Sequence, residues 1–214
     1  DRSVSRGLGD VYKRQAMKVV DAFLEKGLLV ELDETGPAAG AGRKGRLLRF
    51  EPGAYRAVGV ECEGRFARVG LADMAGGVQA RETIELGDFA RTRDLSPLAA
   101  AIRRMCAAAN GAPVLGVCIG FPANLDPDAA AIVSYAAMDI QQPTSFAQVF
   151  PAFWREVELP VYLENDANLA CEGEAFLRRG AGGAANMLYL SIGSGCGGAV
   201  RLLSLIHISE PTRH

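Results

Sequence analysis

Five consecutive residues, Glu164-Asn165-Asp166-Ala167-Asn168, place two carboxylates and two amides directly after the short run Val161-Tyr162-Leu163. A strand end that opens into a helix collects ligands in α/β folds, because the strand end is accessible and the helix N-terminus offers free N–H groups. There a carboxylate and a neighbouring amide can chelate adjacent sugar hydroxyls, and Asp166 can take a hydroxyl proton as general base. Asn and Asp are also favoured helix caps, so a purely local role reads from the same residues. A second run, Ile192-Gly193-Ser194-Gly195-Cys196-Gly197-Gly198, follows an apolar strand. Its glycines would let backbone N–H groups approach a phosphate, although a plain hairpin turn has the same composition. A third, Arg43-Lys44-Gly45-Arg46, concentrates positive charge ahead of a strand. Arg43, Lys44 and Arg46 suit DNA phosphates or a minor groove, with salt-dependent affinity; a solvated basic hairpin is the bland alternative.

The chemistry available narrows once the two ends are inspected. Residues 5–15, SRGLGDVYKRQ, permit a codon spelling whose reverse complement translates as LSLIHISEPTR, which is residues 203–213. Segments so related are expected to come from one DNA adapter joined in opposite orientations, and such scars are set aside before fold reasoning. The expected organisation is adapter sequence over 1–15 and 203–214, a partial DNA-binding domain over 16–52 and an α/β domain over 53–202. Both histidines, His207 and His214, fall in the terminal segment. Histidine catalysis and histidine metal ligation are therefore not expected of residues 16–202. Setting aside Arg2, Arg6, Lys13, Arg14 and Arg213 together with Asp1, Asp10 and Glu210 leaves a net charge of −4. That balance excludes a bulk nucleic-acid coater and confines any DNA contact to a local basic patch. Cys62, Cys106, Cys118, Cys171 and Cys196 are odd in number and lack a Cys-x-x-Cys pair. Buried thiols in a reducing cytoplasm are the expectation, with no metal site. No apolar stretch is long enough to span a bilayer, so no membrane partner is expected.

The elements that must position these groups follow from periodicity. Apolar residues recur at helical spacing over 17–26, with Gly27 as the stop, and 28–30 reads as a strand. The segment ETGPAAGAG is a tip, and 46–50 alternates like a returning strand. A helix followed by a glycine-tipped hairpin is the wing half of a winged helix-turn-helix. Beyond Pro52-Gly53 the pattern becomes α/β: strands at 57–62, 66–73 and 78–84, with a tight turn at Glu63-Gly64. A helix is expected over 95–110, a fully apolar strand over 114–119, a helix over 145–157 and a strand over 161–163. A helix over 168–179 and strands over 187–192 and 198–202 complete the chain. The fold class is α/β: a ribonuclease-H-like, actin-like sugar-kinase lobe preceded by a partial winged helix-turn-helix.

In this order the motifs resemble the ROK (repressor, open reading frame, kinase) family. The stretch LPVYLENDANLACEGEAFLRRGAGGAANMLYLSIGSGCGGAV runs nearly collinear with that family's signature, and GVCIGFPANLD resembles its strand ending in a sugar-pocket turn. The resemblance implies that Asn165 and Asp166 hold a sugar, with Asp166 in the catalytic-base position, and that Gly193, Ser194 and Gly195 form a phosphate loop. It also assigns Ala123 and Asn124 to the sugar pocket, where the family ordinarily has Gly-Pro. Family kinases open this domain with an Asp-x-Gly-Gly-Thr turn for ATP phosphates, and the matching residues here are Glu61-Cys62-Glu63-Gly64-Arg65. Gly64 survives in the degenerate loop, but a glutamate and an arginine replace glycine and threonine. Like charges about 4 Å apart repel by roughly 4 kcal/mol at an effective dielectric near 20, so Glu63 opposes a triphosphate unless Arg65 compensates. Phosphoryl transfer rests on positioning and electrostatics, so this change strikes the essential step. The basic run resembles the Gly-Arg-x-Gly-Arg-Pro segment of ROK repressors. The resemblance thus implies a homodimeric repressor taking a sugar or sugar-phosphate effector and operator DNA. An ATP-dependent, glucokinase-like sugar kinase is the alternative. Zinc and ATP are expected only of an intact protein, and no cofactor of these residues themselves.

Overall fold

The structure is a computed structural model and describes residues 15–35, 46–178, 186–192, 195–202 and 205–207. It opens with helix α1 over 15–25, which stops at Gly27, a residue with a left-handed φ of +69° that ends the helix without a side-chain clash. Strands β1 (Leu29–Thr35) and β2 (Arg46–Phe50) then pair antiparallel, from Leu29 opposite Phe50 to Thr35 opposite Arg46. The hairpin tip expected between them lies outside the described residues.

Strict alternation builds the main sheet. Strand β3 (Arg56–Glu63) buries Val58, Val60 and Cys62 on one face, and β4 (Phe66–Asp73) buries Ala67, Val69 and Leu71 beside them. Their antiparallel register runs from Arg56↔Asp73 to Glu63↔Phe66 and closes through Gly64, whose φ is +57°. Strand β5 (Val78–Glu85) completes the meander. Short helix α2 (Phe89–Thr92) follows, and α3 (Ser96–Ala108) packs Leu98, Ala99, Ala101, Ile102 and Met105 into the core. Strand β6 (Val114–Phe121) is almost wholly apolar because it lies inside the sheet, parallel to β3 on one side.

Three short strands that periodicity did not reveal come next. They are β7 (Asn124–Asp126), β8 (Ala131–Ser134) and β9 (Thr144–Ser145), which form their own antiparallel sheet. The helix expected over 145–157 is two helices, α4 (Phe146–Val149) and α5 (Pro151–Glu156). The break has a cause: Pro151 lacks an N–H and pushes the preceding Phe150 out of helical geometry, to φ −126° and ψ 64°. Strand β10 (Val161–Asn165) joins β6 in parallel, giving the sheet order β10-β6-β3-β4-β5. Helix α6 (Asp166–Leu177) begins at Asp166, two residues earlier than expected. Strands β11 (Met187–Ile192), β12 (Cys196–Leu202) and β13 (Leu205–His207) form a further antiparallel sheet. A partly buried ion pair, Arg201 Nε to Glu172 Oε1 at 2.7 Å, ties β12 to α6. Leu205–His207, an apolar pair followed by histidine, docks against the open edge of β12 and lies in the terminal segment attributed above to an adapter.

The core is dominated by phenylalanines. Phe121, Phe146, Phe150 and Phe153 are all fully buried, and Phe121 meets Phe146 edge to face at 5.4 Å. Among the described residues no helix is long and apolar enough to cross a membrane.

Candidate functional site

Parallel strands β3, β6 and β10 end side by side, and their carboxyl ends define a crevice. Cys62-Glu63-Gly64 closes β3, Phe121-Pro122-Ala123 follows β6, and Asn165-Asp166 closes β10. In open α/β sheets this is where ligands bind.

Asn165 serves both local and long-range purposes. Its Oδ1 accepts from the Ala167 amide at 3.0 Å and the Asn168 amide at 3.2 Å, capping α6. Its Nδ2 donates to the Ala123 carbonyl at 3.2 Å and so pins the β10–α6 junction to the β6–β7 turn. Glu164 Oε1 accepts from the Asn165 amide at 2.8 Å and from Asn168 Nδ2 at 3.0 Å. Asn168 is buried and satisfied through that contact. The helix can begin so close to the sheet because Gly120 has no side chain. A Cβ there would stand 3.2 Å from Leu169 Cδ2 and 3.4 Å from Asp166 Cα.

Asp166 occupies the first turn of α6, half-buried, with the Ala167 amide donating to Oδ1 at 2.9 Å. Burial raises its carboxyl above the ordinary carboxylate value; the Ala167 amide pulls downward, while the negative charge of Glu61 adds a smaller upward push. A carboxylate made reluctant to ionise while facing a crevice has the character of a proton acceptor for a hydroxyl. Cys62, beneath it, has its thiol pushed up to about 12, first by burial and then by Glu61 and Asp166. It is a neutral packing group, not a nucleophile.

At the turn between β3 and β4 the condition set on Arg65 is not met. Arg65 does not compensate Glu63; it pairs with Glu85 at 3.6 Å. The compensating cation is Arg68, across the hairpin, which bridges Glu61 at 2.7 Å and Glu63 at 2.8 Å. Its hydrogen bonds to both glutamates, the one to Glu61 foremost, raise the Arg68 guanidinium further above its already high value. Two carboxylates therefore flank the turn, and Arg68 is engaged by both. These residues do not fit a nucleotide triphosphate, whose phosphates need free N–H groups and unpaired positive charge.

The second glycine run is only partly described. Gly193 and Ser194 lie outside the described residues, and Gly195 is exposed. Its flank reaches the crevice nonetheless, since a Cβ on Gly197 would stand 3.3 Å from the Ala167 Cβ. Ala123 is buried and its carbonyl is taken by Asn165, so its contribution is to hold Asn165 rather than to present a side chain. Asn124 begins β7, half-buried and opposite Ser134. Arg43 and Lys44 lie outside the described residues; Arg46 begins β2. Two surface depressions, one including Arg93, Asp139 and Thr144 and the other Cys118, Glu164 and Asn168, contain neither Asn165 nor Asp166. Among the described residues no group of three His, Cys, Asp or Glu side chains is placed to hold a metal.

Sequence reasoning missed Tyr135. Its ring packs edge to face on Phe121 at 5.5 Å, and Phe121 is the register partner of Asn165. Nothing in its spacing connects it to the Asn-Asp pair, because the β7–β8 hairpin brings it there.

Fold and crevice together define an α/β lobe of sugar-kinase-like architecture. Residues 57–208 match the ROK family. A glucokinase of Halalkalibacterium halodurans is 36% identical over 91 residues, which are 41% of this chain and 25% of that protein. A ROK family transcriptional regulator, a homologue of the E. coli MLC protein, superposes with a TM-score of 0.67 at 17% identity, covering 89% of this chain and 47% of its own. A ROK family glucokinase from Streptomyces griseus, solved with glucose and AMPPNP, gives 0.56 at 23%, covering 72% and 47%. The ROK hexokinase from Thermus thermophilus gives 0.54 at 25%, covering 72% and 49%. The chain belongs to the ROK family. It spans about half the length of these solved relatives and a quarter of the curated glucokinase.

Proposed function

We propose that this chain is part of a sugar-responsive, DNA-binding transcriptional repressor whose kinase-like lobe binds a sugar or sugar-phosphate effector. Asn165 and Asp166 hold the effector's hydroxyls, and residues 16–52 supply the wing half of a winged helix. Ligand binding closes the crevice and reorients the DNA-binding units of a homodimer, changing operator affinity.

The observation that carries this reading lies outside the family-matched lobe. Helix α1 and the β1–β2 hairpin precede that lobe. The regulator's likeness covers 89% of the chain, more than residues 57–208 alone can supply, whereas the two kinases cover 72%. The Glu61–Arg68–Glu63 triad at the first turn supports it independently, by withholding a phosphate site.

A second reading, an ATP-dependent sugar kinase, is favoured by the likeness to the Halalkalibacterium glucokinase and by the proton-accepting character of Asp166. A coupled ADP-release assay on the full-length protein separates the two. The repressor reading expects no turnover with glucose, together with a sugar-induced rise in melting temperature that Asp166→Ala abolishes. Sustained, sugar-dependent ADP release would overturn it, as would the absence of any thermal response across a broad sugar panel.

A further inference from the structure

The hairpin formed by β7 and β8 is followed by a tyrosine whose ring packs on Phe121, the register partner of Asn165. Asn124 on β7 stands opposite Ser134 on β8, and Tyr135 follows at once. The backbone of Tyr135 is fully engaged: its amide donates to the Ile140 carbonyl at 2.9 Å, and its carbonyl accepts from the Ile140 and Met138 amides, each at 3.1 Å. Its ring is braced edge to face against Phe121, 5.5 Å between centroids and 67° between planes. Phe121 is itself fully buried, so the brace does not move. Backbone and ring are fixed, yet the side chain is only half-buried.

The hydroxyl is the part left over. Among the described residues it has no hydrogen-bond partner. Burial raises its pKa, and Cys62 and then Asp166 add smaller upward pushes. Cys62 is a neutral thiol and offers only a weak acceptor. A braced aromatic ring with a free hydroxyl, packed on the strand residue that pairs with Asn165 beside Asp166, has the composition of a carbohydrate subsite. The ring covers apolar C–H surface, while polar groups converge on hydroxyls. Because backbone and ring are already ordered, binding costs Tyr135 little conformational entropy.

We infer that Tyr135 is a third ligand-contacting residue of the sugar site, its hydroxyl bonding the same sugar that Asn165 and Asp166 hold. The inference rests on the sugar-binding reading above and adds a specificity-determining residue to it.

The test uses the full-length protein and a panel of glucose, mannose and N-acetylmannosamine, measured by thermal shift and isothermal titration. For whichever sugar binds, Tyr135→Phe keeps the ring and its brace but removes the hydroxyl. The expected result is a Kd weakened about tenfold, with the unliganded melting temperature unchanged. Tyr135→Ala, which also removes the ring, weakens binding further. A Tyr135→Phe protein that binds as tightly as the parent overturns the inference while leaving the sugar site intact. A weakened Kd accompanied by an equally large loss of unliganded stability also overturns it, since Tyr135 would then be a structural residue alone. If the unsubstituted protein binds none of the panel, the inference and the reading beneath it fall together.

Discussion

At the residue scale, Asp166 is held in a state that stability alone would not choose. Its carboxyl keeps its proton to higher pH in the folded chain than in the unfolded one, chiefly through burial. Across the window between the two pKa values the folded state binds more protons, so stability falls as pH rises through it. Above that window the penalty is fully present. Asp166→Asn removes the charge and keeps an oxygen for the Ala167 amide. The variant should melt roughly 1–3 °C higher near neutral pH, with no gain at a pH below the ordinary carboxylate value, and should lose the sugar response. A lower melting temperature at neutral pH would show that the charge is stabilising here. Asn165 makes the opposite trade, because its oxygen caps α6 and its nitrogen ties down Ala123. Asn165→Ala should destabilise by about 1–2 kcal/mol in denaturant unfolding, the cost of an N-cap. The Asn-Asp pair was legible in the sequence because its neighbours in the chain are also its neighbours in space. The local capping reading is met by Asn165, whose Oδ1 accepts from the Ala167 and Asn168 amides. Tyr135 was not legible, because an isolated tyrosine acquires meaning only when a hairpin folds it over the strand ends.

At the element scale, what could be read was whatever obeyed a strict period. Alternation in β3 and β4 placed Val58, Val60, Cys62, Ala67, Val69 and Leu71 on one face, and the unbroken apolar run of β6 marked it as interior. The small β7–β9 sheet escaped because strands of two to four residues hold too few turns of the pattern to register. The α4–α5 break was readable in principle from Pro151, but the apolar spacing on both sides masked it. Which cation answers Glu63 depended on cross-strand pairing: Arg68 faces Glu61 across the ladder, whereas Arg65, nearer in sequence, turns toward Glu85. Close approach was equally hidden. Gly120 sits under the first turn of α6, where a Cβ would meet Leu169 Cδ2 at 3.2 Å, Asp166 Cα at 3.4 Å and the Val60 carbonyl oxygen at 3.4 Å. Leucine can shift; two backbone atoms cannot without moving the helix or the strand. Gly120→Ala should therefore cost about 1–3 kcal/mol of stability and also weaken sugar binding, because it displaces Asp166. An unchanged Kd in a measurably destabilised variant would show that the helix start is not coupled to the site.

At the scale of the whole molecule, the proposed repressor role asks how a net-acidic chain would address DNA. Acidic residues outnumber basic ones overall, and the crevice itself carries Glu61, Glu63 and Asp166, so long-range attraction to a duplex would not arise from the crevice. Ahead of the lobe, three basic residues fall close together in sequence, Arg43, Lys44 and Arg46, the last of them beginning β2. A local patch on a repelling body has a measurable signature. Each phosphate contact releases counterions and contributes about 0.9 to the slope of log K against log salt, so three contacts should account for nearly 3 of that slope. Substituting Arg43, Lys44 and Arg46 together by alanine in the full-length protein should weaken operator binding and flatten the salt dependence by roughly that amount. Sugar affinity should stay unchanged, because the crevice and the hairpin share no residue. If the slope persists undiminished, the duplex is held elsewhere and the hairpin is not a wing. If the slope flattens while added sugar still shifts operator affinity by the same factor, the basic run holds DNA phosphates without transmitting the signal, which must then pass by the subunit reorientation proposed above.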